Sequence, residues 1–216
     1  VSQNSEKSDG QDTRLRVLIA DDDVEVRRST RLMLSMLPDT RVVAMARDGR
    51  EAVEMAKSLQ PDVALIDINM PGMTGMEAIQ TLREVSPDLM CIVISVEKDA
   101  PTVRQAVHLG VAAYLIKPFT IEELGAVIEK TRAVVIKIRK RKQAEAERRR
   151  RQLEAVAEKL VEARRSDEES IAVLESLAAY PDCAERWLRS LAMVYVARRE
   201  WSKLKELAAR LEAQTQ

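Results

Sequence analysis

Ala64-Leu65-Ile66-Asp67-Ile68-Asn69-Met70-Pro71-Gly72-Met73-Thr74-Gly75 opens as an apolar run, turns acidic at its end and breaks into a Pro/Gly loop. A short apolar run bounded by turn residues reads as a buried strand. Asp67 then stands at the strand's carboxyl end, on the edge where open parallel α/β sheets bind their ligands. A second run, Val17-Leu18-Ile19-Ala20, ends the same way, in Asp21-Asp22-Asp23. Carboxylates gathered on one edge repel one another and need a cation.

Working outward, strands are expected at 16–20, 41–46, 63–67, 91–95 and 113–116, and helices at 24–37, 50–59, 76–85 and 102–109. Gly110 suits the left-handed cap that closes a helix. Thr120 with Glu123 resembles a capping box that starts a helix at 121. Five strands alternating with helices predict an α/β fold built on a parallel, doubly wound sheet. From Ile121 nothing stronger than Gly125 interrupts the helical pattern before Pro181, so one long helix is expected to about 164. Leu153, Val156, Leu160 and Ala163 keep the 4-3 spacing of a coiled-coil seam. Ser166-Asp167-Glu168-Glu169 reads as the cap of a helix over 168–179. A hairpin of helices follows at 183–198 and 201–213. Its apolar faces are assigned to Leu188, Leu191, Ala192, Tyr195, Trp201, Leu204, Leu207 and Leu211.

Composition narrows the function. The 216 residues are 46% hydrophobic, enough for a real core, and Lys+Arg and Asp+Glu balance at 35 each. Aromatic residues are 3%, which argues against a stacking platform for single-stranded nucleic acid. Cys91 and Cys183 suggest neither a disulfide framework nor a zinc site, and Cys91, opening a strand, reads as packing. No apolar stretch approaches the length of a membrane span. Residues 1–13 are polar, lack an apolar signal core and read as a disordered tail, so a cytoplasmic protein is expected. Basic residues crowd into 137–151, a run that suits phosphates or anionic lipid, although a solvated helix locally paired through Glu145 and Glu147 is favoured. The lone His108 reads as a surface residue late in its helix.

Asp21-Asp22 follow the first strand, and Asp67 follows the third with Pro71 and Gly75 in its loop. Ser95 ends the fourth strand and Lys117-Pro118 the fifth. Each motif alone is weak. In this order, each at a strand's carboxyl end, they resemble a two-component response-regulator receiver domain over about residues 14–131. The resemblance implies a flavodoxin-like sheet ordered 2-1-3-4-5. It implies phosphoryl transfer to Asp67 from a sensor histidine kinase or phosphotransfer protein. It also implies Mg²⁺, or Mn²⁺, held by Asp21, Asp22, Asp67 and the backbone carbonyl of Asn69. Lys117 would face the phosphoryl group, Ser95 would be the switch hydroxyl and Tyr114 the switch aromatic. Asn69 and Glu97 occupy the positions that set phosphoryl lifetime, and the pair resembles chemotaxis-type receivers with fast self-dephosphorylation. Without metal, the crowded acids should raise one another's pKa.

The resemblance ends near residue 131. A tail at 1–13, a receiver at 14–131, a helical stalk at 132–165 and a small all-α output region at 166–216 are the expected divisions. Residues 166–216 contain no His, no Gly and no paired catalytic constellation. The expectation is therefore a regulator that is no enzyme beyond its own phosphorylation and dephosphorylation. Phosphorylation would gate a homodimer through helix 121–165 and a protein target for the C-terminal helices. The alternative is a DNA-binding transcriptional regulator that uses the basic stalk or the C-terminal bundle.

Overall fold

The computed structural model describes residues 13–215, so the tail expected at 1–13 lies outside the described residues up to residue 12. The elements run β1 (Leu15–Ala20), α1 (Val24–Met36), β2 (Thr40–Ala46), α2 (Gly49–Leu59), β3 (Val63–Asp67), α3 (Gly75–Val85), β4 (Met90–Ser95), α4 (Ala100–His108) and β5 (Ala113–Ile116). They continue as α5 (Ile121–Glu162), α6 (Glu168–Ala178), α7 (Glu185–Arg198) and α8 (Trp201–Thr215). The strands pair in parallel in the order β2-β1-β3-β4-β5. The chain divides into two compact units, one through Arg139 and one from Lys140.

In the first unit, strand alternation sends side chains to opposite faces of the sheet. Leu18, Ala20, Ala64, Ile66, Cys91 and Val93 meet α2, α3 and α4 on one face, through Ala52, Ala56, Ile79, Leu82 and Ala106. Leu15, Val17, Ile19, Leu65, Ile92 and Ile94 meet Leu34 of α1 and Leu124 and Ile128 of α5 on the other. The central strands are apolar on both faces because both are covered. Each fully buried Leu or Ile contributes about 1.5–3 kcal/mol.

Local chemistry starts the helices where the loops end. Asp23 caps α1, Asp48 caps α2 and Asp99 caps α4, each accepting backbone N–H groups of the first turn. Thr74 and Glu77 form a full capping box on α3. At α5, Thr120 N–H donates to Glu123 at 2.8 Å and Glu123 N–H donates back to the Thr120 hydroxyl at 3.3 Å. Gly110, at φ +71°, closes α4 in the left-handed conformation that costs glycine nothing.

The first unit runs past the expected boundary at 131. Val135 is 3% exposed in the core beside Ile128. Arg132 donates to the Pro38 carbonyl at 2.7 Å. Arg139 grips both oxygens of Asp62 and donates to the Thr13 and Arg14 carbonyls, each at 3.1 Å. Asp62 in turn accepts the Arg16 N–H at 2.8 Å. A bidentate guanidinium–carboxylate pair with this many further hydrogen bonds is directional as well as attractive.

The second unit corrects two expectations. Leu153 and Leu160 are expected on a coiled-coil seam, but the stripe they form with Ala157 is used within the chain. Ala157 is fully buried in a cluster with Ile171, Leu174, Leu177, Leu188 and Leu191, Leu153 packs against that cluster, and Leu160 is buried. Val156, on the same expected seam, is 44% exposed. The physical reason is that apolar residues of α6 and α7 in the same chain already cover this face. Trp201 is expected on an apolar face yet is 59% exposed, whereas Trp187 is 4% exposed in the core. Trp201 is the first residue of α8, just after Arg199 closes α7 at positive φ, while Trp187 sits in the first turn of α7 facing α6's cluster. The side chain of Leu211 lies outside the described residues. The long helix ends at Glu162, with Arg164 at φ +51° and Arg165 N–H donating to the Leu160 carbonyl at 3.1 Å. No helix among the described residues is long and apolar enough to cross a membrane.

Leu174, 1% exposed, is central to the second unit. Leu174→Ala should cost that unit about 2–5 kcal/mol. Both tryptophans lie there, so tryptophan fluorescence during urea unfolding reads the loss in this unit alone.

Candidate functional site

Register builds the site before any side chain is considered. Ala20 pairs with Ile66, so Asp21 and Asp67 leave adjacent strand ends side by side. Ser95 pairs with Ile116, so Lys117 is the next residue off β5, and its N–H donates to the Ser95 carbonyl at 2.8 Å. The order β2-β1-β3 makes β1 and β3 neighbours whose connections leave in opposite directions, which opens a crevice at their carboxyl ends.

In that crevice, carboxylate oxygens of Asp21, Asp22 and Asp67 lie within 4.8 Å of one another. Asp21 is 2% and Asp67 5% exposed, while Asp22 is exposed. The Lys117 ammonium sits 2.6 Å from Asp21 and 3.1 Å from Asp67. Asp21 also accepts the Asp23 N–H at 3.0 Å. Burial works against the Lys117 ammonium, but the hydrogen bond to Asp21 and the two carboxylates outweigh it and hold its pKa above the usual lysine value. Burial pushes the Asp67 carboxyl up, Lys117 opposes this, and Asp21 and Asp22 add smaller upward contributions. Desolvation, more than the expected crowding of acids, is thus the main cause at Asp67.

Three carboxylates facing one ammonium leave negative charge in excess. The donors are all oxygen, and the set fits a hard divalent cation. The cluster is the one group of this kind found among the described residues.

Two parts of the scaffold fix these groups. The loop after β3 returns so tightly that Gly75 N–H donates to the Ile68 carbonyl at 2.9 Å. A Cβ on Gly75 would lie 1.9 Å from the Asp67 carbonyl oxygen. Only glycine permits that approach. The second part, Arg27, was missed by the sequence reading. Its guanidinium donates to the carbonyls of Asp21 at 2.5 Å and Asp22 at 2.9 Å, holding the acidic turn by its backbone. Its signal was available: helical side chains tilt toward the helix amino end, so a long side chain in the second turn of α1 reaches back to the loop before it.

The remaining named residues meet at Glu97. Fully buried Ser95 accepts the Glu97 N–H at 3.1 Å. Tyr114 is half-buried against the core, and its hydroxyl donates to the Glu97 carbonyl at 3.0 Å. Asn69 donates its amide to the Glu97 carboxylate at 3.2 Å. His108 is exposed and contacts the Arg104 carbonyl of its own helix at 2.8 Å. The Cys91 thiol is buried and pushed up to about 11, which marks a packing residue.

Comparison with known proteins finds one family over most of the first unit. The response regulator receiver domain family matches residues 17–129. A protein-glutamate methylesterase/protein-glutamine glutaminase 2 of Carboxydothermus hydrogenoformans is 40% identical over 129 residues, 56% of this chain and 36% of that protein. The nitrate/nitrite response regulator protein NarL of Escherichia coli K12 is 39% identical over 108 residues, half of each chain. Among solved structures, the signal receiver domain of the putative response regulator NarL from Mycobacterium tuberculosis is 32% identical. It covers 56% of this chain and 97% of its own, with a TM-score of 0.54. The chain spans half or less of the length of these curated relatives. The methylesterase match also corrects an expectation. Proteins bearing this receiver segment include named enzymes, so the absence of a familiar constellation in 166–216 does not make this chain a non-enzyme.

Gly75→Ala should force the Asp67 backbone to move, destabilising the first unit by about 1–3 kcal/mol; chemical denaturation followed by circular dichroism measures this. Because burial raises the folded-state pKa of Asp67, its ionisation costs stability as the pH rises through that pKa. In metal-free protein, Asp67→Asn should therefore melt higher than wild type near neutral pH. The gap should close as the pH falls through the carboxylate range, and melting curves across that range provide the check.

Proposed function

We propose, because this chain belongs to the response regulator receiver domain family over residues 17–129, that Asp67 accepts a phosphoryl group from a phosphohistidine of a sensor kinase or phosphotransfer protein. The observation that carries this reading is the Lys117 ammonium between Asp21 and Asp67, with Asp22 alongside.

An Asp67 oxygen forms a bond to phosphorus as the donor's phosphorus–nitrogen bond breaks, and the imidazole leaves and takes up a proton. Asp67 needs no base, since its nucleophile is already a carboxylate once ionised. Lys117 neutralises charge on Asp67 before transfer and on the phosphoryl oxygens during it. Mg²⁺, held by Asp21, Asp22, Asp67 and the Asn69 carbonyl, would supply further charge neutralisation when bound. The protein's own contribution is position: the strand ends, the Gly75 loop and Arg27 hold the acids before the donor arrives. The buried Ser95 hydroxyl would donate to a phosphoryl oxygen, and Tyr114, tied to the same loop through Glu97, would follow it. A dianion at Asp67 would then bias the surface formed by α4, β5 and α5. The Asn69–Glu97 pair at the mouth of the site supports a short-lived phosphoryl group through access for water.

The signal passes to the C-terminal helices, whose exposed Met193, 73% accessible, and Trp201 offer apolar contacts to a protein target. A homodimer through α5 would draw on exposed apolar residues such as Val156, since the stripe that includes Leu153 and Ala157 is taken within the chain. The reading places the protein in the cytoplasm, where such donors meet it.

Incubation with radiolabelled acetyl phosphate and Mg²⁺ tests the reading. Wild type should take up label that is lost again within minutes or faster. Asp67→Asn should take up none, and Lys117→Gln should be slowed by at least about tenfold, the loss expected for one electrostatic contact to the transferring group. Label persisting for hours would contradict the Asn69–Glu97 assignment, and unchanged labelling of Asp67→Asn would overturn the whole reading.

A further inference from the structure

The part of α5 inside the second unit carries a surface that phosphoryl chemistry does not use. Residues 140–151 hold seven cationic and two acidic side chains, and residues 140–149 are all exposed. At about 3.6 residues per turn, the packed positions Leu153, Ala157 and Leu160 lie on one side of the helix. Lys140, Arg141, Arg148 and Arg151 lie on the opposite side, facing solvent. Two of these four have acidic neighbours on the same helix: Arg141 lies 3.7 Å from Glu145 and Arg151 lies 2.5 Å from Glu147. Both pairs are well exposed, and such pairs are readily exchanged for a stronger anion. Lys140 and Arg148 meet no acid among the described residues.

Three anionic partners compete for such a face. A membrane-surface helix needs an apolar stripe to insert beneath its cations; here the other exposed side chains from 143 to 147 are Gln143, Ala144, Glu145, Ala146 and Glu147. Single-stranded nucleic acid is gripped by aromatic stacking, and 140–151 contains no aromatic residue. A duplex needs only spaced cations. Lys140 and Arg148 are separated by about 12 Å along the helix axis at 1.5 Å per residue, close to the roughly 12 Å width of the duplex major groove.

We propose that the outward face of 140–151, through Lys140, Arg141, Arg148 and Arg151, binds the phosphate backbone of a nucleic-acid duplex without regard to sequence. Four phosphate contacts at most give a shallow but definite salt dependence.

The test uses the full chain, without phosphodonor, and a fluorescent random-sequence DNA duplex in about 50 mM salt. Independence from the phosphodonor separates its outcome from that of the Asp67 reading. Binding should weaken with a log–log salt slope of about −3 to −3.6, roughly 60- to 150-fold between 50 and 200 mM salt. The triple variant Lys140→Gln, Arg141→Gln, Arg148→Gln changes only exposed side chains, and with unaltered circular dichroism it should bind at least tenfold more weakly. No binding at the lower salt, an unchanged affinity in the triple variant, or tighter capture by phosphatidylglycerol vesicles at equal phosphate would each overturn the proposal.

Discussion

An ammonium flanked by two buried carboxylates cannot be left half assembled. Lys117 and Asp21, 2.6 Å apart, are both largely withdrawn from water, and either one alone would be an uncompensated charge in the interior. Asp67 adds a second acid that burial already pushes toward its neutral form. The three groups come from β1, β3 and β5, the middle and one edge of the sheet. Their charge balance therefore ties together strands that are distant in sequence, and it holds only if the registers of β1 with β3 and of β4 with β5 are kept.

The sheet meets that demand with apolar mass. Its central strands are buried on both faces, so a one-residue slip would turn wrong side chains into each helix layer. The same rigidity would serve the proposed chemistry, because the acids and Lys117 are set in place by the sheet itself. Where the chain must turn sharply, it uses a residue with no side chain at Gly75. Where the acidic turn would otherwise be loose, Arg27 holds its carbonyls. The segment after β4 is of a different kind. It is held by single hydrogen bonds that converge on Glu97 from Ser95, Asn69 and Tyr114. Bonds of this sort are individually worth about 1 kcal/mol, so under the proposed reading this segment is the part of the site that would rearrange.

The fold was legible because β3 and β5 are short apolar runs with abrupt polar ends, and the structure places both at the bounds expected from sequence. Capping chemistry was legible for the same local reason, as at Thr120 and Glu123. The site acids and Lys117 could be named from their places at strand ends. Arg27 was legible only in part: a long side chain early in α1 can reach back to the loop before it, but which carbonyls it meets depends on how the helix sits over that loop. The second unit was harder. A 4-3 stripe specifies that an apolar face will be covered, not by what, and here α6 and α7 of the same chain reach Leu153 and Ala157. Trp187 and Trp201 show the limit again: both are large and apolar, and only packing against α6 separates the buried one from the exposed one. The methylesterase relatives make the same point for activity, since a missing familiar motif in one segment says nothing of what an attached catalytic region does.

Arg139 changes where a signal would leave the receiver. The family match ends at residue 129, but the guanidinium stitches α5 to Asp62 and to the backbone at Thr13 and Arg14, at the amino edge of the sheet and opposite the acids. The helix is thus fastened at both ends of its receiver-bound length, and its first five turns are not a flexible tether. A shift of β5 and the start of α5 would be handed on as displacement of a stiff rod whose pivot lies at the far rim of the sheet, about 15 Å beyond the end of the family match at 1.5 Å per residue.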